Sequence, residues 1–141
     1  MTREEITALF ARREDAWRRR DAAALASDHA EDGLVESPLA GGTAAGRAAI
    51  EKLYATYFRA FPDFVLEQEA LVIDGDRVVL MAVAAGTDSG GFMGLPPTGR
   101  SVRVRAAFVY VLRDGLIAEE RRVYDFTSVL LQVGALKAKP A

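Results

Sequence analysis

Residues 101–126 read SVRVRAAFVYVLRDGLIAEERRVYDF, and the order of elements in this stretch decides the fold. Two runs rich in β-branched and aromatic residues flank Asp114-Gly115, a dipeptide typical of a two-residue hairpin turn. Earlier in the chain, FVLEQEALVIDG and DRVVLMAVAAGT flank Asp74-Gly75 in the same way. Because a two-residue turn joins only antiparallel neighbours, the second half of the chain predicts an antiparallel sheet.

The first half of the chain has helical rather than strand periodicity. Thr2 begins a capping-box sequence, and the apolar residues that follow recur on one helical face as far as about Arg19. Asp21 can cap a second, shorter helix that ends before Gly33. The spacing in RAAIEKLYATYFRAF predicts a third helix that Pro62 ends, and TSVLLQVGAL predicts a short closing helix.

The segments between the helices complete the architecture. GLVES is typical of a short strand, and GGTAAG of a flexible link. Helices followed by hairpins predict an α+β fold, an antiparallel sheet packed against about three N-terminal helices with a short C-terminal helix. No linker divides the 141 residues, so we expect a single domain over 1–141. If such a sheet is strongly bent, it encloses a pocket at its open end, where small ligands bind.

The composition narrows the classes of partner. Eighteen basic and twenty acidic residues give a net charge of −2 without a long basic run, so we expect no nucleic-acid or membrane partner. The chain has no cysteine, which excludes disulfides, thiolate nucleophiles and zinc–thiolate sites. A single histidine, His29, cannot build a multi-histidine metal site. The N-terminus lacks a targeting pattern, which predicts a cytoplasmic protein.

The loop GGFMGLPPTGR, residues 90–100, carries two large apolar side chains where serine or asparagine would be usual. Phe92 and Met93 are flanked by glycines and followed by Pro96-Pro97. One interpretation is a mobile apolar lid over the mouth of a pocket. The other is a static plug packed into the core.

The order AEDGLVESP, GRAAI, AFPDF, GFMGLPPTGRSV and RDGLIAEERRVYDFTSVLLQVG resembles the SnoaL-like polyketide cyclase family of the nuclear-transport-factor-2-like (NTF2-like) superfamily. The resemblance covers most of the chain, and the GLPPTGR loop and the segment ending in LLQVG are its most specific parts. It implies a cone-shaped barrel with three packed helices, commonly dimeric, that holds a hydrophobic pocket. It also implies an aspartate that acts as acid and base in an intramolecular aldol ring closure, without cofactor or metal.

The aspartate implied by this resemblance is Asp125, eight residues after the isoleucine of DGLI. Relatives often carry histidine and tryptophan where this chain has Glu120 and Arg121, and Asp88 stands where they often have a histidine. These departures exchange an aromatic pocket wall for a cation and put a polyketide substrate in question.

Strand alternation places one set of residues of the last strand on one face and a second set on the other. The first set is Glu119, Arg121, Val123 and Asp125, and the second is Glu120, Arg122 and Tyr124. The resemblance assigns the Asp125 face to the interior. A desolvated Asp125 would suit proton abstraction beside a carbonyl, and a paired Arg121 could stabilise the resulting enolate. The alternative is that Asp125 caps the closing helix.

Two further polar candidates have structural alternatives. Arg103 and Arg105 give one strand a basic face, which either lines the interior as a charge cluster or lies outside in ordinary ion pairs, and the outward placement is favoured. His29, at the end of the second helix, either binds the last helix carbonyls or donates a proton at the pocket rim. Aromatic residues at helical spacing usually belong to the core, although the Tyr57 hydroxyl needs a partner if it is buried.

The sequence therefore supports two functions. The first is a cofactor-free acid/base enzyme that cyclises, isomerises or hydrates a small apolar or polyketide-like carbonyl or epoxide compound. The second is a non-catalytic ligand-binding or dimerisation module, and a homodimer is expected in either case. The catalytic candidates are Asp125, Arg121, His29 and Arg105; the ligand-binding candidates are Trp17, Tyr57, Phe61, Asp88, Phe92, Met93 and Glu119.

Overall fold

The computed structural model describes residues 1–139, in which helices and strands are arranged as an α+β fold. In chain order the elements are α1 (Arg3–Arg18), α2 (Ala22–Ser27), β1 (His29–Ser37), a 3₁₀ turn (Pro38–Ala40), β2 (Gly42–Ala45), α3 (Arg47–Ala60), β3 (Val65–Asp74), β4 (Arg77–Thr87), β5 (Ser101–Arg113), β6 (Leu116–Tyr124) and α4 (Phe126–Val133).

The strands form one curved, unclosed sheet in the order β2-β1-β6-β5-β4-β3. The predicted hairpins are present, because β3, β4, β5 and β6 are antiparallel neighbours. Asp114 and Gly115 both have positive φ, 53° and 77°, as a type I′ turn requires. The first hairpin turns one residue later than predicted, at Gly75-Asp76.

The sheet differs from the prediction at its β1 edge. β1 pairs with β6 in parallel, a geometry that the long intervening chain permits and a tight turn would not. GGTAAG is not a flexible link, because β2 pairs antiparallel with β1. The second helix is shorter than predicted: α2 ends at Ser27, and His29 already begins β1.

Helices α1 and α3 cover the concave face of the sheet and form the core with it. The capping box of α1 is confirmed, since the Thr2 hydroxyl accepts from the Glu5 N–H and the Glu5 carboxylate accepts from the Thr2 N–H. Residues from both helices and from the inner sheet face are buried together: Ile6, Leu9, Phe10, Ile50, Leu53, Val78, Leu80 and Ile117. Within residues 1–139, no helix has both the length and the apolar character needed to cross a bilayer.

Gly33 lies at the irregularity in β1 where the register with β6 shifts. A Cβ at this position would lie 2.9 Å from the Ala30 carbonyl oxygen and 3.3 Å from that of Ile117, and backbone atoms cannot move aside cheaply. We expect Gly33→Ala to lower the free energy of unfolding by roughly 1–3 kcal/mol, the usual cost of overpacking. Urea denaturation measures this, with the exposed neighbour Leu34→Ala as control; equal stability of the two variants would contradict the assignment.

Candidate functional site

The helices and the inner face of the sheet line a cavity that is partly open to solvent. Ala84, Gly86 and Ala106 leave this space because their side chains are small or absent. Gly86 is tightly placed, since a Cβ there would lie 2.9 Å from the Cβ of Phe61. Aromatic rings form much of the wall: Trp17, Tyr57, Phe61, Phe64, Phe92 and Phe108.

Arg122 is the one charged side chain among the described residues that line this cavity. It is 5% exposed, and its Nε donates to Glu120 Oε2 at 2.6 Å. Its guanidinium lies 5.0 Å from the ring centre of Tyr54 and 5.5 Å from that of Tyr57. Burial by itself would lower the pKa of Arg122, but the Glu120 carboxylate raises it well above its ordinary value. The cavity wall therefore contains a permanent, fixed cation.

A buried hydrogen-bond network centred on Tyr54 supports this ion pair. The Tyr54 hydroxyl accepts from Arg13 Nη2 at 2.8 Å, lies 2.9 Å from His29 Nε2, and donates to Glu120 Oε1 over 3.5 Å. Arg13 also donates to Asp28 Oδ2 at 3.1 Å. The two guanidinium groups are thus matched by two carboxylates, as burial of charge requires.

The charge states of His29 and Glu120 follow from this packing. Burial, together with the nearby arginines, lowers the pKa of His29 to about 4 although Glu120 acts in the opposite direction, so the imidazole is neutral at pH 7. Burial alone would raise the pKa of Glu120, but the charges of Arg122 and Arg13 lower it below its ordinary value. Glu120 is therefore an ionised partner of Arg122 and not a neutral acid.

The prediction that Glu119, Arg121 and Asp125 face the interior is wrong. The structure exposes all three and buries Glu120 and Arg122 instead. Alternation defines the two faces of β6 but not which of them faces the core. Here the inward face carries a carboxylate and a guanidinium that neutralise each other, so hydrophobicity gave no indication of the correct side.

The remaining arginine candidates form surface ion pairs on the outer face of the sheet. Arg121 Nε donates to Glu36 at 2.6 Å, and Arg105 Nε donates to Glu69 at 2.8 Å. The outward placement of Arg105 that the sequence favoured is confirmed, whereas the interior placement of Arg121 is not.

Asp125 caps α4, as one of its two predicted roles required. Its Oδ1 accepts from the Ser128 N–H at 2.9 Å, and its side chain is exposed. It follows Tyr124, which does line the cavity, but Asp125 itself points to the other face.

Asp88 is buried and holds the loop between β4 and β5. Its carboxylate accepts from the N–H of Gly91 and from both the N–H and the hydroxyl of Thr98. These bonds leave Asp88 outside the cavity wall and give it a structural task. A Cβ on Gly90 would overlap the Arg59 carbonyl oxygen, so this loop also sits tightly against the end of α3.

Phe92 and Met93, at the tip of this loop, differ in burial. Phe92 is 3% exposed, lines the cavity and packs against Phe61 and Phe126, with ring centres 5.4 and 6.4 Å away. Met93 is 53% exposed and has a positive φ of 54°. The packing favours the plug interpretation for Phe92, and Met93 faces solvent.

The structure places Trp17, Tyr57, Phe61 and Phe92 in the cavity wall, and their ligand-binding role stays a prediction. His29 lies behind the wall in the Tyr54 network, not at the rim.

Sequence reasoning missed Glu120, Arg122 and Tyr124 because they lay on the face assigned to solvent. Arg13 gave a usable signal, since it falls on the apolar face of α1, where an arginine needs a buried partner.

Comparison with known proteins gives consistent matches. A family model described as SnoaL-like polyketide cyclase matches residues 8–133. No curated protein sequence matches the chain significantly.

Several solved structures resemble this one over nearly the whole chain. AclR from Streptomyces galilaeus, a proposed hydroxylase, is 28% identical and covers 99% of this chain and 87% of its own, with a TM-score of 0.83. IdmH from Streptomyces antibioticus, a proposed polyketide cyclase, is 29% identical over 91% of this chain and 97% of its own, with a TM-score of 0.74. A ketosteroid isomerase-like protein from Catenulispora acidiphila, in complex with trimethylamine, is 25% identical over 95% of each chain, with a TM-score of 0.75.

The neutral His29 makes stability depend on pH. Its pKa falls from 6.5 in the unfolded chain to about 4 in the fold, so its contribution is complete above about pH 6.5 and is lost as the pH falls through 4. We expect wild type to lose about 3 kcal/mol more than His29→Gln between neutral pH and pH 4, since each pKa unit corresponds to about 1.4 kcal/mol. Urea denaturation at several pH values tests this; parallel pH profiles for the two proteins would contradict it.

The cap at Asp125 predicts a graded response. Asparagine is nearly as good a cap as aspartate, so Asp125→Asn should change the free energy of unfolding by less than about 0.5 kcal/mol, whereas Asp125→Ala should cost about 1 kcal/mol. Thermal unfolding of both variants measures the difference. A large and equal loss in both would show that the carboxylate charge, and not the cap, is the important feature.

Proposed function

The chain belongs to the SnoaL-like polyketide cyclase family, and we propose that its cavity binds a small apolar molecule with a carbonyl or epoxide oxygen and promotes its cyclisation, isomerisation or hydration without a cofactor. The observation that carries this proposal is an aromatic cavity with one buried cation, Arg122, in its wall. Aromatic walls suit a flat apolar ligand, and a fixed guanidinium suits an oxygen acceptor.

The chemical role of Arg122 follows from its environment. When a proton leaves the carbon beside a carbonyl, negative charge develops on the oxygen, and a preorganised donor in a dry site stabilises that charge. Glu120 holds the guanidinium in place, so little reorganisation is needed during the reaction. Tyr124 adds a hydroxyl that remains protonated, because burial and the neighbouring Tyr57 raise its pKa.

The reaction also needs a group that accepts the proton. Among the described residues that line the cavity, none is a carboxylate or an imidazole. Asp125, the acid/base residue implied by the family, would have to leave its cap on Ser128 to reach the cavity. This observation favours a second candidate function, a binding module that holds its ligand without turnover.

We expect the cavity to bind 2-acetylnaphthalene, a flat aryl ketone, through Arg122. In Arg122→Met/Glu120→Gln both charges are removed together, so no buried charge is left unpaired. Loss of a bond from a charged donor should weaken binding by roughly tenfold or more. The matched control is Arg121→Met/Glu36→Gln, which removes the exposed ion pair next to it. Quenching of Trp17, the only tryptophan, reports occupancy, and equal affinities in the two double variants would contradict the site.

The same ketone separates an enzyme from a binding module. Enolisation exchanges its methyl protons with D₂O, which proton NMR follows directly. If the protein is an acid/base enzyme, exchange should be faster with wild type than in buffer, and slower with Asp125→Asn if that carboxylate takes the proton. Tight binding with exchange no faster than in buffer would favour the binding module.

We also propose that the protein forms a homodimer through the outer face of its sheet. Val72 and Val123 are 56% and 55% exposed, and Ala107 and Val109 lie between them in the register of the sheet. These residues form an apolar patch bordered by the Arg121–Glu36 and Arg105–Glu69 ion pairs, and an exposed apolar patch with a polar rim is typical of a protein interface.

We expect wild type to sediment as a dimer at micromolar concentration and Val123→Asp to sediment as a monomer with little change in stability. Val65→Asp, at the sheet edge, is the control for a charge on an exposed valine. A monomeric wild type would rule this interface out.

A further inference from the structure

The polar groups in the cavity wall are mainly hydrogen-bond donors. Arg122 and Trp17 can only donate, and the hydroxyls of Tyr57 and Tyr124 each carry one proton. Carboxylates and imidazoles are missing from the described part of this wall. The Tyr57 and Tyr124 hydroxyls lie 3.1 Å apart and bond each other, so Arg122 and Trp17 are the main donors left for a ligand, and Arg122 carries a full positive charge.

Two of these donors are buried and have no hydrogen-bond partner within residues 1–139. They are Arg122 Nη2 and Trp17 Nε1, and the two residues are 5% and 3% exposed. Arg122 uses its Nε for Glu120, and its Nη2 is left without an acceptor. A buried donor without an acceptor costs free energy, so a ligand oxygen that bonds to either of these atoms would recover that loss.

Glu120 is already engaged by Arg122, Arg13 and Tyr54, so it is not free to balance the charge of a cationic ligand. Its Oε2 is 2.6 Å from Arg122 Nε, and its Oε1 is 3.9 Å from Arg13 Nη2 and 3.5 Å from the Tyr54 hydroxyl. An ammonium ligand would bring a further positive charge beside Arg122 with no carboxylate in the wall to balance it. An ionised oxygen would instead form charge-assisted bonds, which are about twice as strong as neutral ones.

We infer that the cavity selects its ligand as an oxyanion: an aromatic phenol or enol binds in ionised form, with its oxygen on Arg122 and Trp17, and releases its proton to solvent. This inference rests on the proposed function and specifies it further, because an enolate is the species that a proton-abstracting reaction on a ketone forms. The inference adds the charge state of the bound molecule, which an apolar wall alone does not predict.

The test uses three probes of one shape: 2-naphthol, its methyl ether 2-methoxynaphthalene, and the ammonium 2-(aminomethyl)naphthalene. The naphtholate absorption band gives the ionised fraction of bound 2-naphthol at each pH. A phenol in water ionises near pH 10, as tyrosine does. We expect the pKa of bound 2-naphthol to lie at least about one unit lower, and each unit corresponds to tenfold tighter binding of the anion. The ammonium should bind at least about tenfold more weakly than the methyl ether.

Variants assign the effect to its donors. Arg122→Met/Glu120→Gln should abolish the shift in naphthol pKa, and Arg121→Met/Glu36→Gln should retain it. If the first double variant fails to fold, Trp17→Phe removes only the indole N–H from the pair and should weaken naphtholate binding by on the order of tenfold, with methyl ether binding unchanged. Absorption replaces fluorescence as the readout for that variant.

The outcomes separate this inference from the proposed function. If the methyl ether and 2-acetylnaphthalene bind while bound naphthol ionises as it does in water, the oxyanion inference is wrong and the apolar site stands. Equal affinity for the ammonium probe would also overturn the inference. If no naphthalene probe binds, both proposals fail.

Discussion

The ion pair between Glu120 and Arg122 is the interaction on which the interior depends. Two charges are buried side by side on one strand, and each would destabilise the fold by several kcal/mol if the other were absent. Their pairing allows β6 to turn a charged face toward the core. The pair also depends on the register of β6. A slip of one residue would turn Glu119 and Arg121 inward and expose Glu120 and Arg122 to solvent.

Helices α1 and α3 supply the polar partners that the buried ion pair needs. Tyr54 on α3 lies beneath the Arg122 guanidinium and directs its hydroxyl at Glu120, and Arg13 on α1 supplies a second cation at the same carboxylate. Since these four side chains are buried, each depends on another for the hydrogen bonds that it does make. The result is a rigid polar layer behind an apolar cavity, with Arg122 as the group that belongs to both.

This arrangement changes the meaning of the departures from the family pattern. Where relatives often have histidine and tryptophan, this chain has Glu120 and Arg121, and the structure places the first inside and the second outside. The negative charge in the interior is that of Glu120, and Arg122 pairs with it. The cation that was expected in the pocket is present, but it is Arg122 and not Arg121. Asp125 stands where the resemblance places it in the sequence, but it is exposed and caps α4 instead of facing the interior.

Local chemistry in the sequence determined the helices, the hairpins and the fold class. The Asp114-Gly115 turn, the capping box at Thr2 and the cap at Asp125 each depend on residues within a few positions of one another, so they could be predicted from the sequence. The parallel pairing of β1 with β6 and the choice of inward face on β6 depend on contacts between distant segments. Alternation gives a strand two faces but does not distinguish them when both carry charges. Only the tertiary structure, which brings Tyr54 and Arg13 to Glu120, made the Arg122 side the interior.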